Sequence, residues 1–153
     1  ATKNTTVETV PSFMRKDGEL KAEMDIHYEN FWAAASMYST IEDLLTFTKA
    51  LKSGELVSQA QLDVLFRSKA SLGYVALGSW TFKSPFIEGQ PRVMERRGGV
   101  LGSNGVIMTH LDGPETVIIL ANTDDFNPDT FGFTNNMKEF LFKQLFLVRQ
   151  VNE

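Results

Sequence analysis

Two adjacent guanidiniums, Arg96 and Arg97, run into a pair of glycines, Gly98 and Gly99. A guanidinium carries a rigid fork of N–H donors that can grip a carboxylate with two hydrogen bonds. It cannot serve as a tunable proton carrier, because it stays protonated in proteins. Glycines lack the Cβ that holds two backbones apart, so Gly98-Gly99 would let a ligand approach the main chain closely. The same residues also have a purely structural reading. Gly98-Gly99 would then be a bend closing a strand, and Arg96 and Arg97 would alternate across it, one solvated and one paired with Glu95.

Other residue types offer less. His27 and His110 are the only histidines, and neither lies in a motif that supplies a nucleophile and an orienting carboxylate. Asp125, Asn127 and Asp129 have the spacing that opens a calcium loop. Thr130 and Asn136 stand where that loop requires glycine and a bidentate glutamate, so no metal is expected. Gly98-Gly99 to Gly102 precedes a strand pattern rather than a helix, which excludes a phosphate loop. The chain has no cysteine, which removes disulfides, thiolate catalysis and cysteine-ligated metals.

The elements around these residues follow from pattern and capping. Residues 1–32 read as irregular, with a short strand near Leu20 to Met24. Asn4-Thr5-Thr6 spells a glycosylation sequon but reads as a chance match. Ser39-Thr40-Ile41-Glu42 has the form of a capping box, with Ile41, Leu44, Leu45, Thr48 and Leu51 on one helical face and Gly54 as the stop. Ser58-Gln59-Ala60-Gln61 is a second box opening a helix to about Arg67, with Val57 and Leu62 as its staple. Strands are expected over Tyr74 to Phe82, Val93 to Arg97, Ser103 to Leu111 and Thr116 to Ala121. Asp112-Gly113 turns the last two into a hairpin. The unbroken run Val117-Ile118-Ile119-Leu120 predicts a strand buried on both faces. Asn127-Pro128-Asp129 opens a last helix whose main face is Phe133, Met137, Phe140, Leu141, Gln144, Leu145 and Val148. Phe142 and Phe146 fall off that face, so the helix should need cover from two directions. The expected fold is α+β: an antiparallel sheet of three to four strands, a C-terminal helix packed on it and two short helices before it.

Size and charge agree with one soluble domain. The chain has 153 residues, 42% hydrophobic and 22% charged, enough to bury a core. A net charge of −4 without a basic run argues against nucleic acid and anionic membranes as partners. No apolar run is long enough to span a bilayer, and no secretory leader is visible. The chain starts at Ala1 rather than Met, so an upstream part is expected to have been removed.

Four segments, in order, carry a resemblance. Ala34-Ala35-Ser36-Met37-Tyr38-Ser39-Thr40-Ile41-Glu42-Asp43-Leu44 resembles the "A-G-G-L-x-S-T-x-x-D-L" opening of a helix in class C β-lactamase-like proteins, D-alanyl-D-alanine carboxypeptidases and related esterases. Leu77-Gly78-Ser79-Trp80 is similar to their "G-L-G-W" strand. Gly98-Gly99-Val100-Leu101-Gly102-Ser103 resembles the stretch after their third motif, K-T-G or H-x-G. Val117-Ile118-Ile119-Leu120-Ala121-Asn122 resembles the "V-V-V-L-x-N" strand that ends their sheet. The spacing agrees over roughly residues 33 to 123, and 1–153 would be a single partial domain, the C-terminal region of that fold.

The resemblance implies a penicillin-recognising serine hydrolase acting on an amide, ester or β-lactam. Its third motif lies on an edge strand beside the catalytic serine. Gly98 would be the motif glycine, and the Gly99 N–H would help hold the oxyanion, with Arg96, Arg97 and Gly98 on the substrate side. Arg96 and Arg97 replace the usual Lys/His and Ser/Thr, which keeps an anion grip and loses a proton shuttle. The family's nucleophile motif S-x-x-K is absent, since no serine precedes a lysine by three residues. Tyr28-Glu29-Asn30 spells the second motif, Y-x-N, but sits in the wrong place for it. The chain alone is therefore expected to be inactive, its partner being the missing N-terminal part of the parent, with no cofactor. By resemblance the setting is periplasmic, secreted or membrane-associated. A non-catalytic α+β binding module, or a pseudoenzyme fragment, stays open beside this. Without the family's N-terminal strand, the edge of Thr116–Ala121 is expected to be bare, favouring a homodimer there or at the C-terminal helix.

Overall fold

A computed structural model describes residues 9–24, 27–34, 37–126, 128 and 137–152. The sequon at Asn4, the helix opening at Asn127 and Asp129, Phe133 on the expected helix face, Thr130 and Asn136 all lie outside the described residues, as do Ala35 and Ser36.

The fold is α+β. A hairpin of β1 (Phe13–Lys16) and β2 (Glu19–Ala22) comes first. Two helices, α1 (Ile41–Ser53) and α2 (Gln59–Leu65), follow. Then come β3 (Trp80–Lys83), β4 (Arg92–Val100), β5 (Ser103–His110) and β6 (Thr116–Ala121), a four-stranded antiparallel sheet in the order β3-β4-β5-β6. Helix α3 (Met137–Asn152) closes the chain.

Alternation along the strands sorts side chains onto two faces. Val93, Met108 and Val117 share one face and pack with Ile87 and with Phe142 of α3. Met94 lies on the other face and packs with Leu62 of α2 and with Phe66. The sheet is thus sandwiched between the two early helices and the last one. Lys52, at the end of α1, ties that helix to the β5–β6 turn: its ammonium donates to Gly113 C=O at 2.5 Å and to Thr109 Oγ1 at 3.2 Å.

Several elements differ from the sequence reading, each for a local reason. The short strand expected near Leu20 to Met24 is present as β2, and it pairs with β1, which lies in the stretch expected to be irregular, so residues 13–22 form a hairpin. Asp17 and Gly18 both have positive φ, the geometry of a two-residue turn whose twist matches its strands. The hairpin is fixed in place by Phe13, which exchanges backbone hydrogen bonds with Asn122 and Asp124, and by the Arg15–Asp125 ion pair. A Cβ on Gly102 would overlap the backbone of Phe13, so only glycine lets the β4–β5 turn seat against β1.

The N-cap of α1 is Thr40, whose hydroxyl accepts from Asp43 N–H at 3.1 Å, one residue later than the Ser39 box. The Ser58–Gln61 capping box is present, with Val57 packed on the cluster that holds Leu62. The expected strand over Tyr74–Phe82 shrinks to Trp80–Lys83. Gly73, Tyr74 and Gly78 all take positive φ, which breaks the extended run. β4, by contrast, continues through Gly98-Gly99 to a two-residue turn at Leu101-Gly102, because each glycine still has a β5 partner.

Two burial expectations are overturned. β6 is not buried on both faces. Val117, on the α3 face, is buried, whereas Leu120, on the opposite face, is 45% exposed. On α3 the seam is reversed: Phe142, at 0% exposure, together with Lys138 and Phe146, faces the sheet, while Phe140, Leu141, Leu145 and Val148 face solvent. Counting apolar residues chose the wider stripe. The structure seats the narrower one, because its charged members meet charges on the sheet.

Candidate functional site

β3 pairs with β4 only as far as Trp80 opposite Glu95. Past Glu95, no described strand pairs with β4 on that side, so residues 96 to 100 form a local rim of the sheet. The ladder fixes which backbone groups point outward. Leu111 N–H donates to Arg92 C=O at 2.8 Å, so Arg92 directs its main chain toward β5. Antiparallel pairs alternate, which turns the main chain of Arg96 and Gly98 toward β5 and that of Arg97 and Gly99 outward to the rim.

The side chains alternate as well. Arg96 is exposed, on the face that carries Met94. Arg97 is on the α3 face, where its Nε lies 3.1 Å from Glu95 Oε1 and its guanidinium sits 4.2 Å over the Trp80 ring. That contact is a cation–π interaction. Gly98 has open space where a Cβ would be, whereas a Cβ on Gly99 would overlap the Asn104 carboxamide. Of the four expected site residues, the rim therefore brings together the Arg96 side chain, the open flank of Gly98 and the outward N–H of Gly99. The Arg97 side chain is held on the opposite face.

Beneath the rim is a charge cluster that pattern reading did not single out. Glu95 and Lys138 are fully buried, with Lys138 Nζ 3.3 Å from Glu95 Oε1 and 3.4 Å from Glu139 Oε1. Burial raises the Glu139 carboxyl above its ordinary value, against the pull of Lys138. A hydrophobicity count reads Lys138 and Glu139 as a solvated pair. Their placement depends on Glu95, whose position on the covered face of β4 was the one available signal.

A second cluster lies at the far end of the sheet. Glu115 Oε2 meets His110 Nδ1 at 2.7 Å, and Glu115 Oε1 meets Arg149 Nη1 of α3 at 3.1 Å. Burial pushes the Glu115 carboxyl up, but hydrogen bonds from His110, its own backbone N–H and Arg149 outweigh it and hold the group below its ordinary value. Asp125 is likewise held down, by the hydrogen bond from Arg15. A carboxyl depressed by folding stabilises the fold above its unfolded pKa, and that stability is lost as pH falls through the folded one. Glu139 works in the opposite sense, since protonation relieves its burial. Wild-type stability should therefore drop below about pH 5, and Glu115→Gln should be less stable at neutral pH with a shallower acid slope. Urea titrations of both across that range would expose the error if the two slopes ran parallel.

Among the described residues, no group of His, Cys, Asp and Glu could hold a metal ion. Comparison with protein-family models, curated proteins and solved structures finds no match.

Proposed function

We propose that this chain is the C-terminal part of a β-lactamase-like serine hydrolase and forms one wall of its acyl pocket, the attacking serine coming from an S-x-x-K segment outside these 153 residues. The reading rests on one observation: Gly99 turns its N–H out of the sheet at a rim where no described strand takes it up. A backbone N–H fixed in a ladder does not reorganise as charge develops, so it can stabilise the oxygen of a tetrahedral intermediate. The missing Cβ at Gly98 leaves room for a substrate backbone along the rim. Arg96, exposed beside it, suits a substrate carboxylate, and no side chain of this wall is suited to carry protons. The substrate class is an amide, ester or β-lactam.

A fluorophosphonate or a fluorescent penicillin tests this. The isolated chain should remain unlabelled, and the longer protein carrying S-x-x-K should label stoichiometrically at that serine. Labelling of any serine within the 153 residues would overturn the reading. Failure of the longer protein to label would leave a non-catalytic binding module instead.

A further inference from the structure

The β4–β5 ladder holds Gly99 only through its neighbours. Its own N–H and C=O face the rim, while Gly98 and Val100 bond to β5 on either side of it. Gly99 has no side chain to pack, and it follows another glycine, so its peptide is free to rock unless something presses on it. An oxyanion donor works only if it does not reorganise as charge develops. A donor at this position therefore needs a second hold.

Asn104 stands directly across the ladder. Gly99 and Asn104 are partners in a non-hydrogen-bonded pair, the kind that brings side chains closest, with Cα atoms about 4.5 Å apart. The Asn104 carboxamide lies over the Gly99 Cα: its Oδ1 is the first atom an added Cβ would meet, with its Cγ at 3.4 Å. The carboxamide is tethered in turn, since its Nδ2 donates to Thr123 C=O at 3.3 Å. Phe13 of β1 bridges Thr123, so the tether ends on backbone that is itself paired. At Gly98, by contrast, nothing lies within 4 Å of where a Cβ would be. Of the two glycines, the one whose N–H faces the rim is the one clamped from β5. We infer that Asn104 is the positioning residue of the oxyanion donor: its carboxamide, pinned at Thr123, stops the Gly99 peptide from rocking toward the face that carries Met108. Asn104 acts through Gly99 and needs no contact with substrate. The assignment rests on the acyl-transfer reading and adds to it the group that keeps the donor still.

In a longer protein that carries the S-x-x-K serine, Asn104→Ala should lower kcat about 10- to 100-fold, less than outright loss of a donor, with KM nearly unchanged. Gly99→Ala puts a methyl into the space the carboxamide vacates. The double variant Gly99→Ala/Asn104→Ala should therefore turn over faster than Asn104→Ala alone, whereas two independent losses would multiply. The NMR order parameter of the Gly99 amide in the 153-residue chain reads the clamp without any turnover: about 0.85 in wild type, as for rigid backbone, and lower in Asn104→Ala. A longer protein that a fluorophosphonate leaves unlabelled removes the acyl-transfer reading and this assignment together. A labelled wild type whose Asn104→Ala variant keeps the wild-type kcat, or whose double variant shows multiplied losses, overturns the assignment alone. So does a wild-type Gly99 order parameter below about 0.6, which decides the matter even if the variants do not fold.

Discussion

Glu95→Ala is expected to cost about 3–5 kcal/mol, enough to unfold a marginal domain at room temperature. Glu95 and Lys138 are both fully buried and lie 3.3 Å apart. Arg97 Nε is 3.1 Å from the same carboxylate oxygen. Removing the carboxylate leaves an ammonium and a guanidinium facing each other, with only Glu139 nearby among these four groups. Both cations have given up water, and their solvation is not recovered when the partner goes. The intact cluster need not be a large net stabiliser, because burying charges costs nearly as much as their attraction returns. The sharper comparison is therefore Glu95→Leu with Lys138→Leu. Together they should cost less than the sum of the two alone, since the double variant leaves no lone ammonium. Urea unfolding of the four proteins measures this. A Glu95→Ala midpoint within error of wild type would mean that water reaches the cluster.

The same cluster marks the limit of what sequence pattern could reveal. The fold class was legible, as were the Ser58 capping box, the Asp112-Gly113 hairpin and the stop at Gly54, because each depends on a few neighbouring residues. The β1–β2 hairpin was equally local, yet the Asp17-Gly18 signal went unread among polar neighbours. The extent of β4 was not local. Gly98-Gly99 looks like a bend until Gly105 and Asn104 pair with it across the turn. The orientation of α3 depends on chain segments far apart, since Lys138 finds Glu95 over forty residues earlier. For residues 96 to 99, the sequence could not say which face each arginine would take. That parity follows from the phase of the ladder, which the bonds from Leu111 to Arg92 and from Ser84 to Pro91 fix.

Parity also yields the most direct test of the proposed chemistry. On the proposed acyl-transfer reading, Gly99→Pro in a longer protein that carries the S-x-x-K serine should lower kcat by about 100- to 1000-fold, the usual effect of removing one oxyanion donor. Proline deletes a single N–H, and at Gly99 that N–H faces the rim rather than β5, so the ladder keeps its hydrogen bonds. Proline is tolerated on strand edges for this reason. Gly98→Pro would instead remove an N–H directed at β5 and is expected to weaken the hairpin itself. Gly99→Ala separates space from donation: it keeps the N–H while pressing on Asn104, whose side-chain end can move aside. The expected order of kcat is wild type, then Gly99→Ala, then Gly99→Pro far below, with KM changing much less than kcat because the N–H acts on charge that develops only in the transition state. If Gly99→Pro folds and turns over at the wild-type rate, the Gly99 amide holds no oxyanion and this strand is a wall without a catalytic part.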